Sequence, residues 1–341
     1  MTIFKSVSLE DIRARGVIRD QDVRALGAAL ATTFSITAEE ADALLRLHAS
    51  CPIQDPKWSA LLVDTISDYI IRQAEPDGYV ISENARWLIQ RISSFGLVNT
   101  STELMLLVQV LERARWTPPS LVAFCLEQVR AAVETGRGPL RAAMPAAPGT
   151  ITDADVHLIA QIIRAFGSEV SLPITRTEAD SLFAIHRAIR PDDIPETWQK
   201  FFVDTVGSGV LAALGHTVVP RGEMSVIPTH GADGPGKSRI GDPDLAMSLP
   251  TSRHPGGVTI WATAPLLSPE ELAIMRLERQ RFEIVTNETI DDPTADWLMQ
   301  KLGEKQYFDP AETELLLYIT REASSVPSAF SAYAARAYMA A

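Results

Sequence analysis

Trp58-Ser59-Ala60-Leu61-Leu62-Val63-Asp64-Thr65-Ile66 and Trp198-Gln199-Lys200-Phe201-Phe202-Val203-Asp204-Thr205-Val206 are two versions of one stretch. Each follows a related block, Ile36-Thr37-Ala38-Glu39-Glu40-Ala41-Asp42 or Ile174-Thr175-Arg176-Thr177-Glu178-Ala179-Asp180, and each block is followed six residues on by a histidine, His48 or His186. Trp58, Leu61, Leu62, Thr65, Ile66, Tyr69 and Ile70 recur at helical period, as do Trp198, Phe201, Phe202, Thr205, Val206 and Val210. A half-buried strand needs alternation, and there is none here. The stretch therefore reads as an amphipathic helix that occurs twice, and internal repetition is the first guide to an architecture.

Working outward, more pairs fall in the same order. Ile18-Arg19-Asp20-Gln21-Asp22-Val23 parallels Ile151-Thr152-Asp153-Ala154-Asp155-Val156. Ala85-Arg86-Trp87-Leu88 parallels Ala295-Asp296-Trp297-Leu298, Thr102-Glu103-Leu104 parallels Thr313-Glu314-Leu315, and Pro118 parallels Pro327. The expected fold is all-α, with two pseudo-symmetric multi-helix halves from an internal duplication. The first repeat domain covers 1–135 with seven or so helices, a Gly/Pro/Ala-rich linker covers 136–149, and the second repeat domain covers 150–341. Residues 217–266 have no counterpart and, with many Pro, Gly and Ser, read as an inserted loop.

Helix starts are marked by chemistry. Thr37 with Glu40, Thr100 with Glu103 and Thr175 with Glu178 have capping-box spacing, in which hydroxyl and carboxylate exchange hydrogen bonds with each other's amides. Ser268 to Glu271 has it again. Asp55-Pro56 joins an N-cap to a proline at the first helical position and opens what reads as the longest helix.

Composition limits the function classes. The 341 residues are 46% hydrophobic and 22% charged, with net charge −12. An acidic chain with no basic cluster is a poor match to nucleic acid or to an anionic membrane, and no apolar run is long enough to span a bilayer. There is no secretory h-region at the start. Cys51 and Cys125 have no metal or redox spacing and read as reduced thiols of a cytoplasmic protein. The remaining expectation is a protein partner.

Three groups of residues carry candidate chemistry. Gly231-Ala232-Asp233-Gly234-Pro235-Gly236-Lys237-Ser238 satisfies G-x-x-x-x-G-K-[ST], with Gly231, Gly236, Lys237 and Ser238 in the phosphate-binding positions. A phosphate loop needs a buried strand before it and a helix after it. Met224-Ser225-Val226-Ile227-Pro228 is a poor strand, and Gly241 and Pro243 stop a helix, so the match reads as adventitious and no cofactor is expected. His48 and His186 are the second group. They lie on the apolar faces of corresponding helices, where a metal or proton site could use them, but the plainer reading is a core-edge histidine with one satisfied nitrogen. His216, His230 and His254, in or beside the insert, lack zinc spacing. Asp64 and Asp204 stand at the edge of their apolar faces and read as boundary residues bonding a neighbouring helix end, and the four repeated tryptophans read as core anchors. No catalytic residue is expected.

The repeated units resemble the tellurite-resistance TerB-like helical family. The segments that carry the resemblance are Ile36-Thr37-Ala38-Glu39-Glu40, Val98-Asn99-Thr100-Ser101-Thr102-Glu103, Ile174-Thr175-Arg176-Thr177-Glu178 and Phe308-Asp309-Pro310-Ala311-Glu312. The resemblance implies metal binding and a stress response through acidic residues in a preceding Asp-Gly. Here Thr33-Phe34-Ser35, Ser94-Phe95-Gly96 and Gln306-Tyr307 stand in that place. The chain is also similar to duplicated bacterial proteins to which no activity is attached. The expected function is a non-enzymatic helical interaction or stress-associated module. The alternatives are a TerB-like metal-binding protein and a nucleotide-binding enzyme using residues 231–238.

Overall fold

The computed structural model describes residues 7–33, 35–74, 76–165, 174–213, 292–303, 308–323 and 326–340. The insert at 217–266, the loop at 231–238, His216, His230, His254 and the expected helix start at Ser268 lie outside the described residues. The described residues form fourteen α-helices and two minimal sheets and are mostly helical.

In the first half α1 (Leu9–Arg15) leads through strand β1 (Val17–Ile18) into α2 (Asp20–Ala31) and α3 (Ala38–Ser50). Strand β2 (Ile53–Gln54) pairs parallel with β1 and leads into α4 (Pro56–Asp68), whose last turn is wound as π-helix over Tyr69–Gln73. Then come α5 (Ser82–Ile92), the antiparallel hairpin β3 (Ser93–Ser94) and β4 (Leu97–Val98), α6 (Ser101–Arg113) and α7 (Pro119–Thr135). The second half holds α8 (Pro139–Ala143), α9 (Asp153–Ala165), α10 (Arg176–Ala188), α11 (Glu196–Ala213), α12 (Asp292–Leu302), α13 (Pro310–Glu322) and α14 (Ser328–Ala340).

The helix starts follow the expected chemistry. Thr37 Oγ1 accepts from the Glu40 amide while the Glu40 carboxylate accepts from the Thr37 amide. Thr100 with Glu103 and Thr175 with Glu178 do the same, and Asp309 with Glu312 forms a fourth box. Asp55 caps α4 through the Lys57 amide, with Pro56 at the first position.

One core runs through both halves. Trp58 and Trp198 are fully buried within it. The broadest helix pairings are α7 with α10, which joins the halves, and α11 with α13.

Four expectations need correction. The 136–149 stretch is not simply linker. It contains α8, and Leu140 and Arg141 are buried. Five residues are too few to show a period, and Pro and Gly disguised the turn. The helix after Asp55 is not the longest: α4 gives way to a π turn after Asp68, while α7 and α11 run on without a break. The pairing of Thr102–Leu104 with Thr313–Leu315 is two residues out of register. The capping boxes set Thr100 and Glu103 in the positions that Asp309 and Glu312 hold, and this places buried Leu106, Leu107 and Val110 against Leu315, Leu316 and Ile319. Finally, Trp87 is half-buried against Tyr69 rather than a full core anchor, whereas Trp297 is buried edge-on to Phe183.

Candidate functional site

The two histidines sit at similarly built junctions of three helices. The indole N–H of Trp58 on α4 donates to His48 Nδ1 on α3 at 3.2 Å, and His48 Nε2 lies 3.0 Å from Oγ1 of Thr100, the N-cap of α6. On the other side Trp198 on α11 donates to His186 Nδ1 on α10 at 3.1 Å, and His186 Nε2 lies 2.9 Å from Oδ2 of Asp309, the N-cap of α13. An indole N–H can only donate, so each Nδ1 must accept, and the neutral ring then carries its proton on Nε2. Both ring nitrogens are satisfied in each case, one more than expected from the sequence. Each histidine ties a buried tryptophan to the capped start of the next helix.

The electrostatics differ. Burial pushes the His48 imidazole below its usual value, with the Gln54 side chain opposing. Burial also works to raise the Asp309 carboxyl, but the His186 hydrogen bond and the Glu312 amide outweigh it and hold the group below the usual carboxylate range. Burial raises the Glu103 carboxyl against the amides of Asn99 and Thr100.

His186, Asp309 and Glu312 offer nitrogen and oxygen atoms all within 4.8 Å of one another, the spacing of a cation site. The donor set does not fit one. The Nδ1 lone pair accepts the Trp198 N–H, and Nε2 bears the proton it directs at Asp309. Asp309 Oδ1 accepts the Glu312 amide, and Glu312 Oε2 accepts the Asp309 amide. A metal on Nε2 would require an imidazolate, and the cluster is a capping box with a histidine docked on it. His48 faces the same obstacle, with a threonine hydroxyl as its neighbour.

The expected boundary carboxylates lie at helix edges. Asp64 is exposed and accepts from Gln109 on α6 at 2.9 Å, with Arg113 in the last turn of that helix 3.9 Å away. Asp204 is half-buried, and burial raises its carboxyl. Cys51 and Cys125 are free and buried, and burial raises both thiols, Cys125 to about 12.

Sequence reading missed two features. Arg141 meets Asp155 through two hydrogen bonds of 2.8 and 2.9 Å, with side chains 2% and 0% exposed. Arg141 also donates to the Thr150 carbonyl, and Asp155 receives the Thr152 amide at the start of α9. The second is Phe95. It is fully exposed at the tip of the β3–β4 hairpin with φ of 54°, followed by Gly96 at 81°. A two-residue hairpin with both central residues at positive φ favours Asn-Gly, and a bulky aromatic in the first place is an outlier. The hairpin is clamped from below by buried Gln128, whose Oε1 accepts the Val98 amide and whose Nε2 donates to the Gly96 carbonyl. Beside it is an open apolar groove of about 450 Å³ lined by Leu97, Val98, Leu104, Ala131, Ala132 and Leu140 among others. A signal was present in Ser94-Phe95-Gly96-Leu97, where a turn position holds an aromatic.

Comparison with known proteins adds no relative: no family model matches the sequence, and neither a curated protein nor a solved structure does. Among the described residues no helix is long and apolar enough to cross a membrane.

Proposed function

We propose that the protein is a non-enzymatic interaction module built from two copies of one multi-helix unit, TerB-like in its capped helix starts, and that it holds a protein partner through the Phe95 hairpin. Its two buried thiols suit a reducing compartment such as the cytoplasm. The duplication is supported by polar pairs that recur at matching places. His48 with Trp58 corresponds to His186 with Trp198, and Arg15 with Asp22 to Arg141 with Asp155. Asp42 with Arg91 at 2.5 Å corresponds to Asp180 with Lys301 at 2.8 Å. Each pair joins the same two helices in order.

The observation that carries the interaction reading is Phe95. A large aromatic side chain stands wholly in water, on strained backbone, over a buried amide that fixes its position. Rigid exposed aromatics with an apolar groove alongside suit the anchor of a protein interface, where a few such residues carry most of the binding energy. Left-handed backbone costs a non-glycine residue about 1–2 kcal/mol. Phe95→Asn should therefore raise stability by about 1 kcal/mol in chemical denaturation while removing the anchor. A photo-crosslinking benzoylphenylalanine at position 95 of the full chain, expressed in its host, tests the contact. Discrete protein adducts are expected at 95 and not at the exposed control position Leu317, and excess wild-type chain should compete them away where the Phe95→Asn chain does not. Adducts at 95 no different from those at 317 would remove the proposal.

A further inference from the structure

The two histidine junctions are alike except for the atom facing Nε2, and that atom decides what a second proton does. A ring protonated on both nitrogens can no longer accept the indole N–H, so the tryptophan bond is lost in either half. In the second half the new cation faces the Asp309 carboxylate at 2.9 Å, and an ion pair forms in exchange. In the first half it faces the Thr100 hydroxyl, which already accepts the Glu103 amide at 3.3 Å and carries no charge.

We propose that His48 is an acid-released latch of the first half: a second proton on its ring breaks the Trp58 bond and frees the α3–α4–α6 junction, while Asp309 keeps the corresponding α10–α11–α13 junction closed.

The charged groups around each ring fit this assignment. Among the described residues no charged group acts on the His48 ring itself, where Gln54 is the one side chain that opposes burial; Arg13, Arg15 and Asp22 of α1 and α2 act instead on Cys51 at the end of α3, with Arg15 and Asp22 paired. Asp42 on α3 is held by Arg46 and by Arg91 of α5. From α4 come Lys57, paired with Asp20, and Asp55, which caps the helix through the Lys57 amide. From α6 comes Glu103, bonded to the amides of Asn99 and Thr100. Around His186, α13 supplies Asp309 and Glu312, while α11 supplies Trp198 and the stacked ring of Phe202. Glu127 and Arg130 of α7 pair with each other and line up with Thr177, Ser181 and Ala184, about half a turn round α10 from His186.

The direction follows from linkage. The His48 ring is depressed in the closed form, so stability is full above the unfolded value of about 6.5 and is lost as pH falls from there toward the depressed folded value. One proton taken up on opening corresponds to about a tenfold loss of protection per pH unit.

Indole N–H exchange of Trp58 and Trp198 in the full chain, followed by NMR from pH 8 to 5 and corrected for intrinsic rate, is the test. Protection of Trp58 should fall about tenfold per pH unit below about 6.5, whereas Trp198, still enclosed by the junction that the His186–Asp309 ion pair holds shut after its own indole bond is lost, should show no such slope. His48→Gln, whose amide can accept from Trp58 and donate to Thr100 without titrating, should flatten the Trp58 slope. Thr100→Asp keeps a good N-cap and should suppress the slope, and Asp309→Thr should give Trp198 a slope of its own. Equal slopes for the two indoles in the wild-type chain, or a Trp58 slope that survives in His48→Gln or is untouched by Thr100→Asp, would overturn the proposal.

Discussion

His48 and His186 receive the same N–H from the same kind of tryptophan, and each reaches an N-cap with its other nitrogen, but one meets a hydroxyl and the other a carboxylate. A second contrast lies nine residues beyond each tryptophan, about two and a half turns along the same helix. Ser67 on α4 is buried and accepts from Gln109 and Arg113 of α6 at 3.0 Å each, whereas Gly207 on α11 leaves room for the ring of Tyr318 on α13. A third is the ion pair at the entry to each half. Arg15–Asp22 at 2.5 Å is 30% and 11% exposed, while Arg141–Asp155 is closed off from water. On the proposed duplication, matching positions join matching helices with different chemistry. The first half spends polar, partly solvated groups where the second uses a buried ion pair, a charged acceptor and an aromatic packed on glycine.

These contrasts can be broken one at a time, beginning with the most costly. Arg141→Met strands Asp155 in a site without water, and removing one partner of a buried pair costs about 3–5 kcal/mol. Arg15→Met should cost less, about 1 kcal/mol, because this pair is partly solvated, mainly at Arg15. Chemical denaturation of the two variants checks the difference, and equal losses would mean that the two pairs are not distinguished by burial. Next comes Gly207→Ala. The added Cβ would stand 2.5 Å from Tyr318 Cδ1, so the ring or the helix must shift, at about 1–3 kcal/mol. Ser67→Ala opens no such clash and should cost about 1 kcal/mol for its lost hydrogen bonds, the smaller of the two effects. Gly207→Ala paired with Tyr318→Leu should recover much of the loss, and no recovery would show that the glycine serves something other than that contact.

How much of this was legible in the sequence depended on how local the signal was. Helical period and capping boxes are written within a few residues, so the helices around Trp58 and Trp198 and the starts at Thr37, Thr100 and Thr175 could be read directly. The histidines could be placed on apolar faces, but their second partners come from helices 52 and 123 residues away, and period says nothing about those. The register of α13 slipped because Thr-Glu-Leu begins two residues after the cap Thr100 in α6 but four residues after the cap Asp309 in α13, where an aspartate stands in the threonine's place. Arg141 looked like linker because α8 is a single turn, and its role appears only once Asp155 folds back on it. Phe95 was noted only as a departure from an Asp-Gly, since exposure and backbone strain at a hairpin tip have no periodic signature.

The protonation of the two rings is what the whole arrangement rests on. Nitrogen NMR of the histidine side chains near pH 8, assigned through His48→Gln and His186→Gln, reads it directly. For both residues the ring is expected to be neutral, with the proton on Nε2 and a bare Nδ1 coupled to a slowly exchanging indole N–H of Trp58 or Trp198. A proton on Nδ1 in either ring, or an indole that exchanges at the rate of a solvent-exposed tryptophan, would contradict the shared junction.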